Sequence, residues 1–559
     1  MSRFLTVLTV IFICFVPAQA IITYTIDSPE IITALEKAGD NAGELQKAIY
    51  HYTNDANNQE LTALLFLIAN MEDQSYATYR MFDTANVDVD FNVLDYPNYD
   101  SLTASVKEIE KVRGELDFEK KELIYDLEHI TADFLITQID YAFKAWEERP
   151  WSKNYNFDQF CRYILPYRGS NEPLEEWRQY FYEKYAHIVE QMKNPTNPLE
   201  AAALINDDIK TWFGFDPRYY YHPTDLGLSE MLSSKLGRCE DMTNVTIYAM
   251  RANGLAVTSD YTPYWANSGN NHAWNAIVTA EGDVIPFMGA EASPGTYQLS
   301  GKVGKVYRKT YDQQKDNLVF QVDSTVELPG WLKGKYYTDV TKDYTDVADV
   351  EFRFYFSSDK VIKDNPYSYK YEMSDNGKYI VGRNHSESNN IVYLCVFNSG
   401  EWKPIHWAKI KDNKAICKDM GTGVMYLPAF YQNGEIIPID SPFLLNKDGS
   451  KNHFSVMGDV QIDMKLFSTT KRKLVESTDG IQETFFENGK KYELFYWNDG
   501  NEMSQKPIGW ISSGISSAID NKPLYFTGWA SGLYWLVEEG SDKEERIFTI
   551  DKDGNQVWW

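Results

Sequence analysis

The chain has 559 residues, 54 Lys and Arg against 81 Asp and Glu, a formal charge of −27 and no basic run. That balance excludes nucleic-acid binding by phosphate neutralisation and docking on anionic lipid. The length exceeds what one core organises, so three or four domains are expected, and 15% aromatic content favours folded, aromatic-rich β modules.

In chain order, Met1–Ala20 reads as a secretory signal peptide. Arg3 supplies the positive start, 4–16 the apolar run and Ala18-Gln19-Ala20 the small-residue cleavage site. Ile13 before Cys14 does not fit a lipoprotein, and the run is shorter than the ~20 apolar residues of a spanning helix. The mature protein is expected to be exported (periplasm, cell surface or secreted), with no integral membrane segment. Four cysteines remain, Cys161, Cys239, Cys395 and Cys417, too few for a disulfide framework. Cys395 and Cys417 lie in apolar segments 22 residues apart, where a disulfide is open. No zinc-ligand spacing occurs, and no metal or organic cofactor is expected.

Residues 21–198 are expected to form a helical domain. Asp27-Ser28-Pro29-Glu30 is a capped start, and Glu60–Met71, Ser101–Leu127 and Ala132–Trp146 carry apolar stripes at helix spacing. Leu165-Pro166 breaks a helix and Glu172-Pro173 starts another, with Cys161, Arg168 and Trp177 as packing residues. A core spans 199–304. Beyond it, apolar runs punctuated by Asp375-Asn376-Gly377, Asn433-Gly434, Asp448-Gly449, Asn488-Gly489, Asp499-Gly500 and Asp553-Gly554 predict hairpins in β modules at 305–460 and 461–559. Asp551-Lys552-Asp553-Gly554 lacks the later ligands of a calcium loop and reads as a turn. His406 reads as structural. The fold class is α+β.

The chemistry concentrates between Leu228 and Gly295. Gly237-Arg238-Cys239-Glu240-Asp241 opens a helix with Met242, Val245, Ala249 and Met250 on its stripe and Asn253-Gly254 at its end. Cys239 then lies in the first turn, where unpaired N–H groups and the helix dipole would lower a thiol pKa from ~8.5 toward neutrality. Leu255–Tyr261 reads as a strand. His272–Thr279 alternates as another, and Val284–Phe287 returns. A cysteine and a histidine so placed suit acyl transfer through a thiolate.

A third group should orient the histidine. Asp283 lies 11 residues along the strand, roughly 35 Å away, and cannot reach. A hairpin loop of even length would put Glu291 on the face of His272, while a three-residue loop would spoil this. Glu291 is therefore the expected acid, with Asp260 the fallback.

These residues, Gly-Arg-Cys-Glu-Asp, a helix, two strands and His-Ala-Trp-Asn, resemble the transglutaminase-like superfamily over about 200–295. Tyr163–Arg168 looks like the helical extension of its exported bacterial members. The resemblance implies a papain-like core with a Cys-His-Asp triad, Cys239 as nucleophile and His272 as general base and acid. The family's acid usually follows the return strand's Pro by about two residues, where this chain has Met288. An upstream aromatic often supplies a second oxyanion donor, for which Trp212 and Tyr219 are candidates. The expected function is cleavage of peptide or carboxamide bonds through a thioacyl intermediate, with hydrolysis favoured over cross-linking. Substrates would be proteins, peptides or glycopeptides. The alternative is a noncatalytic surface protein binding glycan or peptide, with the nine tryptophans beyond Ser300 available for sugar stacking.

Overall fold

Apolar stripes set the first layer of the computed structural model. It describes residues 23–53, 59–356, 370–374, 377–382, 390–454, 461–468, 476–477, 480–481, 486, 488–499, 508–519, 522–529, 531–540 and 546–559. Residues 1–20, 375–376 and 500, with the leader and parts of two turns expected there, lie outside them. Helices Pro29–Lys37, Ala42–Tyr52, Gln59–Ala69 and Ala132–Glu148 bury Ile31, Leu45, Leu64 and Leu135 in one cluster. Pro29 opens the first of them, and the Thr131 hydroxyl caps the last by accepting from the Phe134 N–H. Cys161 is buried in the same cluster. Arg168 forms a buried ion pair with Asp126, and Trp177 stacks on Tyr248 at 4.9 Å, so both are buttresses.

Two helical expectations are corrected. The charged helix runs only from Tyr99 to Arg113, because Gly114 ends it at φ 81°. Asp117–Tyr125 pairs antiparallel with Ser75–Phe82 in a two-stranded sheet, tied by Arg80 Nε to Glu119 at 2.7 Å. Val112, inside that helix, is 86% exposed and lies off the side that buries Leu102 and Val106. The single helix expected over Ser101–Leu127 joined two elements, and cross-strand partners decide the second. The helix expected after Pro173 begins at Arg178, since the buried Glu172 carboxylate folds back onto the N–H groups of Gly169 and Ser170, each at 2.7 Å.

The central sheet orders its five strands Val284–Phe287, His272–Val278, Val257–Thr262, Tyr307–Lys309 and Tyr337–Asp339, each antiparallel to its neighbours. The helix Cys239–Arg251 packs on it. Its last two strands lie past the boundary expected at 304. Arg308, in the fourth, donates to buried Asp260 at 2.8 and 2.7 Å, so the core extends into this segment.

The rest is β. Strands Ile391–Asn398, Glu401–Lys409 and Val424–Gln432 belong to one antiparallel sheet, and Lys491–Asn498 sits in a five-stranded sheet nearer the end. Asn433 and Gly434 both have positive φ, 51° and 80°, as a two-residue hairpin turn requires. The Asp551 carboxylate accepts from the N–H groups of Asp553 and Asn555, holding a turn. Cys395 and Cys417 are free thiols in separate apolar clusters, so they form no disulfide here. All nine tryptophans beyond residue 300 pack into two apolar clusters. Trp402 and Trp497 are buried there, and the other seven are partly buried against the two clusters.

Candidate active site

The first turn of the helix Cys239–Arg251 is closed by Asp241. Its carboxylate accepts from the N–H groups of Arg238 and Leu226, each at 2.9 Å. That capping sets Cys239 at the first helical position, where the backbone N–H groups of Ala273 and Glu240 act on the thiol. Ala273 follows His272, so helix and strand bring nucleophile and base candidates to one place. His272 pairs with Thr262 across the sheet. Its ring stacks on Trp265 at 5.7 Å and meets Trp274 at 5.8 Å, while Nε2 lies 2.9 Å from the Tyr297 hydroxyl.

Electrostatics reverse one expectation. Burial first, and then the Glu240 carboxylate, push the Cys239 thiol up to about 11. The two N–H groups and Arg238 offset only part of this. The helix-terminal field is present, but desolvation of the sulfur outweighs it. Burial lowers His272, with Glu240 opposing. The resting pair is therefore a neutral thiol beside a neutral imidazole. Glu240 is itself ion-paired with Lys309, whose Nζ also donates to Ser170 at 2.7 Å, and Arg238 donates to Asp225 at 2.8 Å.

The third member departs from expectation. Val278 pairs with Val284 and Asn275 with Phe287, so five residues, 279–283, connect the strands. The Thr279 N–H closes this loop on the Asp283 carbonyl at 2.9 Å. An odd loop moves the register by one residue relative to an even one. Continued one step, it sets Met288 opposite Trp274, and Met288 is buried. Glu291 is exposed in the tight turn 288–292, where Ala290 takes φ 57°. Its charge acts on Tyr297, whereas the carboxylate acting on His272 is that of Glu240. Asp260 is committed elsewhere: besides Arg308 it accepts from Thr258 at 2.9 Å and Tyr344 at 2.6 Å.

The two upstream candidates are occupied too. Trp212 Nε1 donates to Asp208 at 3.1 Å, and buried Tyr219 reaches Ser234. The half-exposed Tyr220 is the upstream aromatic whose phenol feels Cys239. Neither Tyr220 nor Tyr297 stood out in the sequence. The first hides in a run of three tyrosines, and the second follows the turn with no motif of its own. A groove of about 440 Å³ includes Tyr297, Pro286, Leu299 and Tyr344 in its walls. A larger cleft of about 1100 Å³ lies between residues 76–94 and residues 219–234, with neither Cys239 nor His272 in its lining. Among the described residues no helix is long and apolar enough to cross a membrane, and no group of three His, Cys, Asp or Glu is arranged to hold a metal ion.

Residues 186–287 match the family model of the transglutaminase-like superfamily. No curated protein matches the sequence. Among solved structures, red sea bream transglutaminase aligns over 91% of this chain and 79% of its own, at 8% identity and a TM-score of 0.19. That overlap is too loose to bear on any residue of the site.

Proposed function

From a chain whose residues 186–287 form a transglutaminase-like domain, we propose a cysteine enzyme that cleaves carboxamide or peptide bonds through a thioacyl intermediate on Cys239. The observation that carries this reading is that the helix starting at Cys239 packs on the strand starting at His272, tied to it by the Asn275 amide donating to the Thr243 carbonyl at 3.2 Å. Because the resting pair is neutral, proton transfer accompanies attack. The Cys239 proton passes to His272 as sulfur bonds to the substrate carbonyl carbon. The Cys239 N–H, unpaired within its own helix because it lies in the first turn, is the donor assigned to the developing oxyanion. His272 then returns the proton to the departing ammonia or amine, leaving the thioacyl enzyme. Water resolves it to the acid, and an amine resolves it to a cross-link. Water is the favoured acceptor for an exported protein, and export rests on the apolar run and small-residue site within residues 1–20. The domain type favours protein or peptide substrates.

One observation favours a second reading. Met288 occupies the strand position expected for the acid, as it would in a site kept for binding alone. The test uses N,N-dimethylcasein with hydroxylamine, measuring ammonia, hydroxamate and new amino termini. We expect release that falls at least about 100-fold in both C239A and H272A. No release from the native protein, with casein bound equally by C239A, would reject catalysis in favour of binding.

A further inference from the structure

We propose that Tyr297 is the positioning residue for His272, filling the role that an acid fills in a Cys-His-acid triad. This rests on the cysteine–histidine reading above. His272 has two ring nitrogens, and Nε2 is taken by the Tyr297 hydroxyl at 2.9 Å. Only Nδ1 is left to receive the proton of Cys239. For that, Nδ1 must carry a lone pair and Nε2 the hydrogen, so the phenol oxygen must accept.

Glu291 supplies the bias. Its charge acts on Tyr297, and a negative charge favours the hydroxyl rotation that turns the phenolic hydrogen away from Nε2. The phenol lone pair then turns to Nε2–H. Trp265 and Trp274 hold the plane of the imidazole but do not choose between its two flipped states. The Tyr297 bond makes that choice. Tyr297 is held in turn: the Thr296 N–H donates to the Ser293 carbonyl at 3.1 Å, and the Ser293 hydroxyl donates to Asp207 at 3.1 Å, on the helix Pro198–Ile209. The other candidates are excluded by position, since Met288 has no acid and Asp260 is bound to Arg308. Burial and the Glu291 charge raise the Tyr297 phenol, so it stays neutral across the working range. A neutral group orients an imidazole without stabilising the imidazolium as a carboxylate does, which agrees with the lowered His272.

The experiment follows iodoacetamide alkylation of Cys239 from pH 6 to 11, mapped by peptide, in the native protein, H272A, Y297F and E291Q. Cys161, Cys395 and Cys417 are fully buried, and mapping by peptide separates Cys239 from Cys14. The native profile should show a neutral-pH shoulder that H272A removes, above an alkaline limb from the unaided thiolate. Y297F should lower that shoulder at least fivefold and leave the alkaline limb unchanged, with E291Q in between. General damage would move both limbs. Nitrogen-15 spectra of His272 should show one tautomer, protonated at Nε2, and a mixture in Y297F. A Y297F shoulder equal to native, with a single tautomer retained, overturns the role of Tyr297 and leaves the cysteine–histidine pair standing. A native profile without a His272-dependent shoulder overturns both.

Discussion

At the first turn of the cysteine helix two adjacent carboxylates do different work. Glu240 pairs with Lys309, partly buried, and raises the thiol, while Asp241 turns inward and caps the helix. Burial, and then the charge of Asp225, push Asp241 up to about 7 from the usual 3.8. Its folded-state value lies above its unfolded one, so the native state binds the proton more tightly. The resulting stability is fully present below pH 3.8 and is lost as pH rises through about 7. Urea denaturation of native protein and D241N should therefore show the native advantage shrinking between pH 5 and pH 8. A difference independent of pH would place the Asp241 carboxyl among ordinary solvated acids. The two neighbours are adjacent letters in the sequence. Their separation into a partly buried ion pair and a buried cap belongs to the helix, which sends consecutive side chains about 100° apart.

At the scale of elements, the site depends on one odd-length loop and one close approach. The turn 288–292 is tied to the helix Pro198–Ile209 by Asn206. Its amide donates to the Ala292 carbonyl at 3.2 Å, and its oxygen accepts from the Ala290 N–H at 2.8 Å. The same turn presses Gly289 against the cysteine helix. A Cβ there would meet Thr246 Oγ1 at 2.3 Å, Asn275 Oδ1 at 2.6 Å and the Met242 carbonyl oxygen at 2.7 Å. G289A should accordingly cost about 1–3 kcal/mol, as overpacking does. It should also move the Tyr297 turn, read as a lower Tm together with a weaker His272-dependent shoulder in alkylation. Unchanged values for both would mean that the turn is free to shift. The strands themselves were legible, with His272–Val278 and Val284–Phe287 lying where alternation put them. The loop length was not. Gly282-Asp283 fits two-, three- and four-residue turns alike, and the structure uses five residues.

Across the whole molecule, the β region supports the site from behind. Asn398, on the strand Ile391–Asn398, donates to the carbonyls of Trp265, Ser268 and Asn270 at 3.0, 2.9 and 2.8 Å. Those residues form the loop that carries Trp265 onto His272. The Tyr307 hydroxyl of the central sheet likewise donates to the Ile405 carbonyl at 2.9 Å. N398A should increase amide hydrogen exchange across 264–271 by about tenfold or more while leaving 239–251 near native, since a buried, multiply bonded amide is being removed. Equal exchange in both proteins would show that the loop holds itself.

The sequence by itself determined the α+β order, the cysteine at a helix start, the histidine at a strand start and the turns at Asn433-Gly434 and Asp553-Gly554. These depend on local periodicity, capping and backbone preference, which act within a few residues. Tertiary structure alone decided that residues 117–125 are a strand, that the sheet extends to Asp339, and that Asp260 belongs to Arg308. It also decided which group meets His272. Those outcomes turn on register, desolvation and partners supplied from 25 to more than 40 residues away, and no local pattern encodes them. The thiol is the plainest case. A helix start lowers its pKa and burial raises it, and only the packing around Cys239 fixes which is larger.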